Sequence, residues 1–150
     1  MIEITSDGNL YFSFGRLCLV SDSVKGTFRL SLESVHLLAS PLIVTGASQT
    51  ITVGMTYIAN NASAEVLFSL PITPSIGDTF SVIGCGAGGW RVAQIAAQQQ
   101  FLNGAKSQVG ILGQIRSFDH WSRASWTCIA TTPNAVWLCY DISGNLKIDE

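Results

Sequence analysis

The stretch 116–126 concentrates side chains able to hold a sugar, because Arg116, Asp119, His120, Trp121, Arg123 and Trp126 fall within eleven residues. A carbohydrate site needs an aromatic face to stack on the ring and a few polar groups to hold its hydroxyls. Asp119 would accept from those hydroxyls, Arg116 and Arg123 would donate, His120 would lie among them and Trp121 would stack. The competing reading is a turn with solvated charges and Trp121 in the core. Strand alternation places Trp126 in the core on either reading.

A second cluster begins at Gly84. Gly84-Cys85-Gly86-Ala87-Gly88-Gly89 satisfies GxGxxG, in which a tight turn brings a pyrophosphate to backbone N–H groups. That fingerprint also wants an acidic residue about 20 positions on. The first acid after Gly89 is Asp119, and the 61 residues that remain are too few for a doubly wound sheet. A nucleotide-binding enzyme using the GCGAGG turn therefore stands as an alternative. The simpler reading is a turn between strands, where positive φ or close approach of a symmetry-related chain excludes a Cβ. Gly86, Gly88, Gly89, Trp90 and Arg91 then form a turn or subunit interface, with Arg91 stacked on an aromatic or paired across subunits.

Catalysis finds little support. No Ser occupies a GxSxG elbow, and the two His offer few partners for a nucleophile. Asp119 and Asp141 would serve as a glycosidase pair only at a separation of roughly 5–9 Å, which spacing in the chain does not set. No enzyme is expected. Cys18, Cys85, Cys128 and Cys139 lack CxxC spacing, so neither a metal nor a cofactor is expected. Cys128 and Cys139 lie symmetrically about Pro133-Asn134, and an even-length hairpin would set them opposite each other as buried thiols. His36 has only Glu33 near it in sequence, and Asn103, Lys106 and Gln108 read as loop residues.

The elements that must position these groups are short strands. Apolar and β-branched runs at 9–14, 16–20, 27–32, 42–45, 49–53, 56–59, 65–70 and 79–83 are separated by Gly and Asn-rich turns. Further runs follow at 90–94, 99–102, 111–115, 125–130, 135–140 and 146–148. Residues 30–39 and 92–101 also suit a helix; the second is read as strand because no capping residue precedes Trp90. In the last hairpin Trp126 and Cys128 share a face with Trp137, Cys139 and Asp141, while Thr127, Ile129, Val136, Leu138 and Tyr140 face the other way. Both faces are largely apolar, the pattern of strands covered once by their own domain and once by something else.

Composition agrees. Of 150 residues 47% are hydrophobic and 12% charged, against about 25% charged in ordinary soluble domains, and the mean hydropathy is +0.35. A monomer would have too few charges to cover its surface, which implies a subunit partner. Eight Lys and Arg against ten Asp and Glu, a net charge of -2, leave no footprint for nucleic acid. No apolar run approaches the ~20 residues of a membrane span, and the N-terminus lacks the pattern of a signal peptide. A soft boundary falls near Gly46, because residues 1–45 carry seven charged side chains and 46–150 only eleven.

The segments 57–62 (YIANNA), Leu70-Pro71, Gly77-Asp78-Thr79, 86–94 (GAGGWRVAQ) and the Cys128 strand followed by Asn134-Ala135-Val136-Trp137 together resemble a family. They are similar to the C-terminal head domains of phage tail fibres and of bacterial collagen-like adhesins such as that of Legionella. The resemblance covers roughly 46–148 and implies a homotrimeric, lectin-like fibre tip that binds cell-surface glycans, on a virion tail fibre or a bacterial surface; a subunit interface at Gly86, Gly88, Gly89, Trp90 and Arg91 is then a trimer interface. Residues 1–45 do not resemble the family's stalk, and the slightly acidic chain does not share the basic residues with which the adhesin head binds sulfated glycans. The sequence thus predicts an all-β, short-stranded antiparallel sandwich or barrel assembled as an intertwined homotrimer, with a β-rich attachment or extension segment at 1–45 and the head at 46–150. Its expected function is non-catalytic glycan recognition; a purely structural trimerisation or capping head is the alternative.

Overall fold

Alternation at period two has a direct physical outcome, since successive side chains of a strand point to opposite faces and the apolar set must find cover. In the computed structural model Val66 and Phe68 are buried while Leu67 and Ser69 are half-buried, and the same alternation runs through the strands Thr56–Ala59, Thr79–Gly84, Trp90–Ala93, Gln98–Leu102 and Gln114–Ser117. The structure describes residues 40–149 and, ahead of them, strands β1 (Ile2–Ile4), β2 (Leu10–Phe12), β3 (Cys18–Asp22) and β4 (Thr27–Ser31). Two compact units divide the chain, Met1–Leu38 and Ala39–Glu150. In the first, β1 pairs antiparallel with β2 and β3 with β4. Leu30 and Ser31 lie in β4, whereas residues 32–39 of the possible 30–39 helix, His36 among them, fall outside the described residues.

The second unit is two mixed sheets without a helix among the described residues. Its strands are β5 (Leu42–Val44), β6 (Ser48–Thr50), β7 (Thr56–Ala59), β8 (Val66–Ser69), β9 (Thr79–Gly84) and β10 (Trp90–Ala93). They continue as β11 (Gln98–Leu102), β12 (Ala105–Lys106), β13 (Gln114–Ser117), β14 (Arg123–Ala130), β15 (Ala135–Ser143) and β16 (Lys147–Asp149). One sheet has the order β16-β13-β10-β8-β6 and the other β12-β11-β15-β14-β9-β7-β5. Strand β5, ahead of Gly46, already belongs to this unit.

The all-β expectation holds, but the antiparallel one does not. Pairs β5·β7, β7·β9, β6·β8, β8·β10 and β11·β15 are parallel. From β5 to β11 the chain alternates between the sheets, so each returns to its own sheet running in the same direction as the strand two before it. The segment 92–101 is strand β10, a four-residue connection and strand β11, not helix.

The inner faces meet in an aromatic core. Phe80 stacks on Trp126 at 4.9 Å, Trp90 meets Trp126 edge-on at 5.9 Å, and Tyr57 tilts against Phe68 at 5.4 Å. In the final hairpin the inward face is the expected one, with Trp126, Cys128, Trp137 and Cys139 buried. The register is offset, however. Cys128 opposes Trp137 and Cys139 opposes Trp126, and an irregularity between Cys128 and Ala130 breaks the symmetry about Pro133-Asn134. Both thiols are free, and burial pushes Cys139 up to about 12. The second apolar face is uncovered in the single chain, where Ile129, Leu138 and Tyr140 are exposed.

Candidate functional site

Strand directions gather the turns 60–65, 85–89, 118–122 and 144–146 at one end of the sandwich, so both sequence clusters lie there. The glycine-rich turn rests on the Asn61 loop. Asn61 Oδ1 accepts the N–H groups of Ser63 and Ala64, each at 2.9 Å, and thereby fixes its own turn. Cys85 and Gly86 donate their N–H groups to the Ala59 carbonyl at 2.8 and 2.9 Å, Gly88 to Asn61 at 2.9 Å and Gly89 to Gly86 at 3.4 Å.

These glycines are required by proximity. A Cβ on Gly86 would overlap the backbone of Asn61, one on Gly88 the backbone of Ala64, and Gly89 holds φ +75°. The excluding neighbour is thus this chain's own 61–64 segment, not a symmetry-related copy. With four N–H groups already engaged and a strand rather than a helix following, the turn does not form the anion cradle of a dinucleotide site.

Trp90 is fully buried and donates Nε1–H to Ser122 Oγ at 2.9 Å, so it belongs to the core of its own chain and not to a subunit interface. Arg91 lies on the outer face of the smaller sheet, Nε 3.2 Å from Glu65 Oε2 of the same chain, an ion pair without hydrogen-bond geometry. Within the chain its partner is that carboxylate, not an aromatic ring.

The 116–126 cluster is only partly brought together. Arg116 lies on the outer face of the five-stranded sheet, 3.5 Å from Asp149 Oδ1 and 5.5 Å from the centre of the Phe118 ring. Arg123 lies on the outer face of the other sheet, 3.2 Å from Asp141 Oδ1. The two guanidinium groups therefore do not share a site. Asp119, itself exposed, organises the turn: its Oδ2 accepts Asn145 N–H at 2.8 Å, and its carbonyl accepts the Ser122 hydroxyl at 2.9 Å.

What remains at the tip is aromatic. Phe118 and His120 are exposed, and Trp121 is 69% exposed with φ +62°. A left-handed backbone costs a bulky residue about 1–2 kcal/mol. It is held by a reciprocal pair, Trp121 N–H to the Gly84 carbonyl at 2.8 Å and Gly84 N–H to the Ser122 carbonyl at 2.7 Å. Trp121 is thus not in the core. The sequence reading passed over Phe118, Ser122 and Asn145; none stands in a motif, and only the closure of 118–122 onto Gly84 reveals them.

Fold and site define a class: an all-β domain of two mixed sheets with an exposed aromatic loop at one end. No protein-family model and no curated protein matches the chain.

Proposed function

We propose that the chain is a non-catalytic recognition head that self-assembles as a homotrimer and presents the 118–121 loop to a cell-surface carbohydrate, on a virion tail fibre or a bacterial surface. The observation that carries this reading is Trp121. A large aromatic held in a costly backbone conformation, with little packing in return, is the arrangement expected of a binding residue. Phe118 and His120 flank it.

Self-assembly draws support from the opposite end. Loops 71–78, 94–98 and 107–113 contain one charged residue, Asp78, and expose Ile72, Ile76, Val109, Ile111 and Leu112. They are tied to one another, Gln98 Nε2 donating to the Pro71 carbonyl at 2.6 Å and Gly110 N–H to the Gln98 carbonyl at 3.0 Å. The same observation favours the second reading, a structural head that only registers or caps three chains.

A glycan panel with the wild type and Trp121→Ala, combined with light scattering, separates the two. Recognition requires a native mass near three times 16.0 kDa, a glycan bound by the wild type, and loss of that binding in the variant at unchanged mass. A trimer that binds nothing leaves the capping role, and a stable monomer sinks both. Protection of the Cys85 thiol by an added dinucleotide would revive the nucleotide reading.

A further inference from the structure

Strand β15 does not run straight past β14. Ser125 opposes Tyr140 but Arg123 opposes Ser143, so Asp141 and Ile142 together face Ala124 in a bulge. Asp141 takes φ +50° there. Simple alternation would aim it inward with Trp137 and Cys139; the bulge and the left-handed backbone turn its carboxylate to the outer face, within 3.2 Å of the Arg123 guanidinium.

The pair stands over a depression of about 190 Å³ lined by Thr56, Ser81, Ile83, Arg123, Ser125 and Asp141. Register builds its floor. Thr56 pairs with Ser81, Ser81 with Ser125 and Ser125 with Tyr140, so three hydroxyls and an exposed aromatic form one row across four strands. Ser81 Oγ and Ser125 Oγ are 2.8 Å apart. One proton lies between them, and the other hydroxyl is left able to donate outward.

We infer that this depression is a second binding site, specific for a single neutral pyranose ring. The Arg123–Asp141 pair cancels in charge, which disfavours an anion or a cation. It offers a planar donor fork beside a carboxylate acceptor, the set that holds vicinal hydroxyls, and the hydroxyl row supplies further partners. Both side chains are more than half exposed, so their mutual attraction is weak and exchanging it for sugar hydroxyls costs little. The volume is below the roughly 300 Å³ at which sites for larger ligands begin, and the exposed Tyr140 lies next to Ser125 in register. The site is separate from the 118–121 loop and stands without it.

The test is an amide NMR titration of the full chain, in its native assembly, with free glucose, galactose and mannose. Saturable shifts are expected at Ser81, Ser125 and Asp141, in the millimolar range usual for weak binders, and Asp141→Asn should weaken binding about tenfold. Asn tolerates the left-handed backbone, so this variant keeps the bulge. Trp121→Ala should leave these shifts unchanged. The inference is overturned if no hexose shifts these amides up to about 100 mM, or if Asp141→Asn binds as the wild type does. Shifts confined to 118–121 would overturn it while supporting the loop reading; shifts at the depression without glycan binding through Trp121 would do the reverse.

Discussion

Gly88→Ala tests whether the glycine-rich turn exists for packing. Gly88 does not hold a positive φ, so only space is at issue, and a Cβ there would overlap the carbonyl of Ala64. Overpacking costs roughly 1–3 kcal/mol, and the upper end applies because the obstacle is backbone and not a movable side chain. Replacing Gly also restricts the unfolded chain, which returns about 0.4–1 kcal/mol. The net loss is about 2 kcal/mol, or a fall in Tm of roughly 4–8 °C for a chain of this size. Gly46, where nothing lies within 4 Å of an added Cβ, is the control: Gly46→Ala should be neutral or stabilise by up to about 1 kcal/mol. Urea unfolding followed by fluorescence suits the measurement, since Trp90, Trp126 and Trp137 are fully buried. The midpoint should fall with little change in slope. A Gly88→Ala protein as stable as Gly46→Ala would refute the close approach and free the turn for another role.

Three further outcomes follow from the same geometry. Trp121→Gly, by relieving a left-handed backbone at an exposed residue, should raise stability by about 1 kcal/mol in thermal unfolding while glycan binding is lost; a marked destabilisation would mean that the indole packs. Ser122→Ala leaves the buried Trp90 Nε1–H without an acceptor and should cost about 1–3 kcal/mol in urea unfolding, an unchanged midpoint counting against that bond. Burial holds the Cys139 thiol at about 12 against an ordinary 9.0 and also raises Cys128. The folded state therefore keeps protons that the unfolded chain releases above pH 9, so stability is full below that pH and falls as pH rises toward 12 by up to about 1.4 kcal/mol per unit for Cys139. Denaturant midpoints between pH 8 and 11 check this, and a flat profile would contradict it.

Much of the fold is legible because burial imposes a period of two. That period placed Trp126 and Cys128 on the same face as Trp137 and Cys139, and all four are buried. It says nothing about strand direction, since a parallel and an antiparallel neighbour bury the same alternate residues; hence the mixed sheets could not be read from it. The Ala and Gln content of 92–101 was ambiguous for a different reason. Gln94, Gln98 and Gln100 point inward against the usual pattern. They are tolerated because each is satisfied: Gln100 accepts the Trp126 indole N–H at 3.1 Å and donates to the Val92 carbonyl at 3.1 Å, while Ser107 donates to Gln94 at 2.6 Å. Such polar burial is stable only when every partner is present, and partners distant in sequence cannot be read from composition.

The site divides along the same line. Proximity in sequence suggested that Arg116, Asp119, His120, Trp121 and Arg123 act together, yet β13 and β14 belong to different sheets and carry the two arginines to opposite outer faces. A seven-residue separation that crosses from one sheet to the other disperses charges as readily as it gathers them. What does gather is set by register: Arg123 meets Asp141, eighteen residues away, only because a bulge reverses the side on which Asp141 emerges. Alternation read along β15 assigns that carboxylate to the core, where an unpaired charge would be expensive. The conflict is resolved by bending the strand, and the bend leaves an acid and a base together above a row of hydroxyls. Where a charged residue falls on the inward phase of an apolar strand, the sequence thus marks either a partner inside or a bulge, and a bulge beside a depression is the more informative place to look for a ligand.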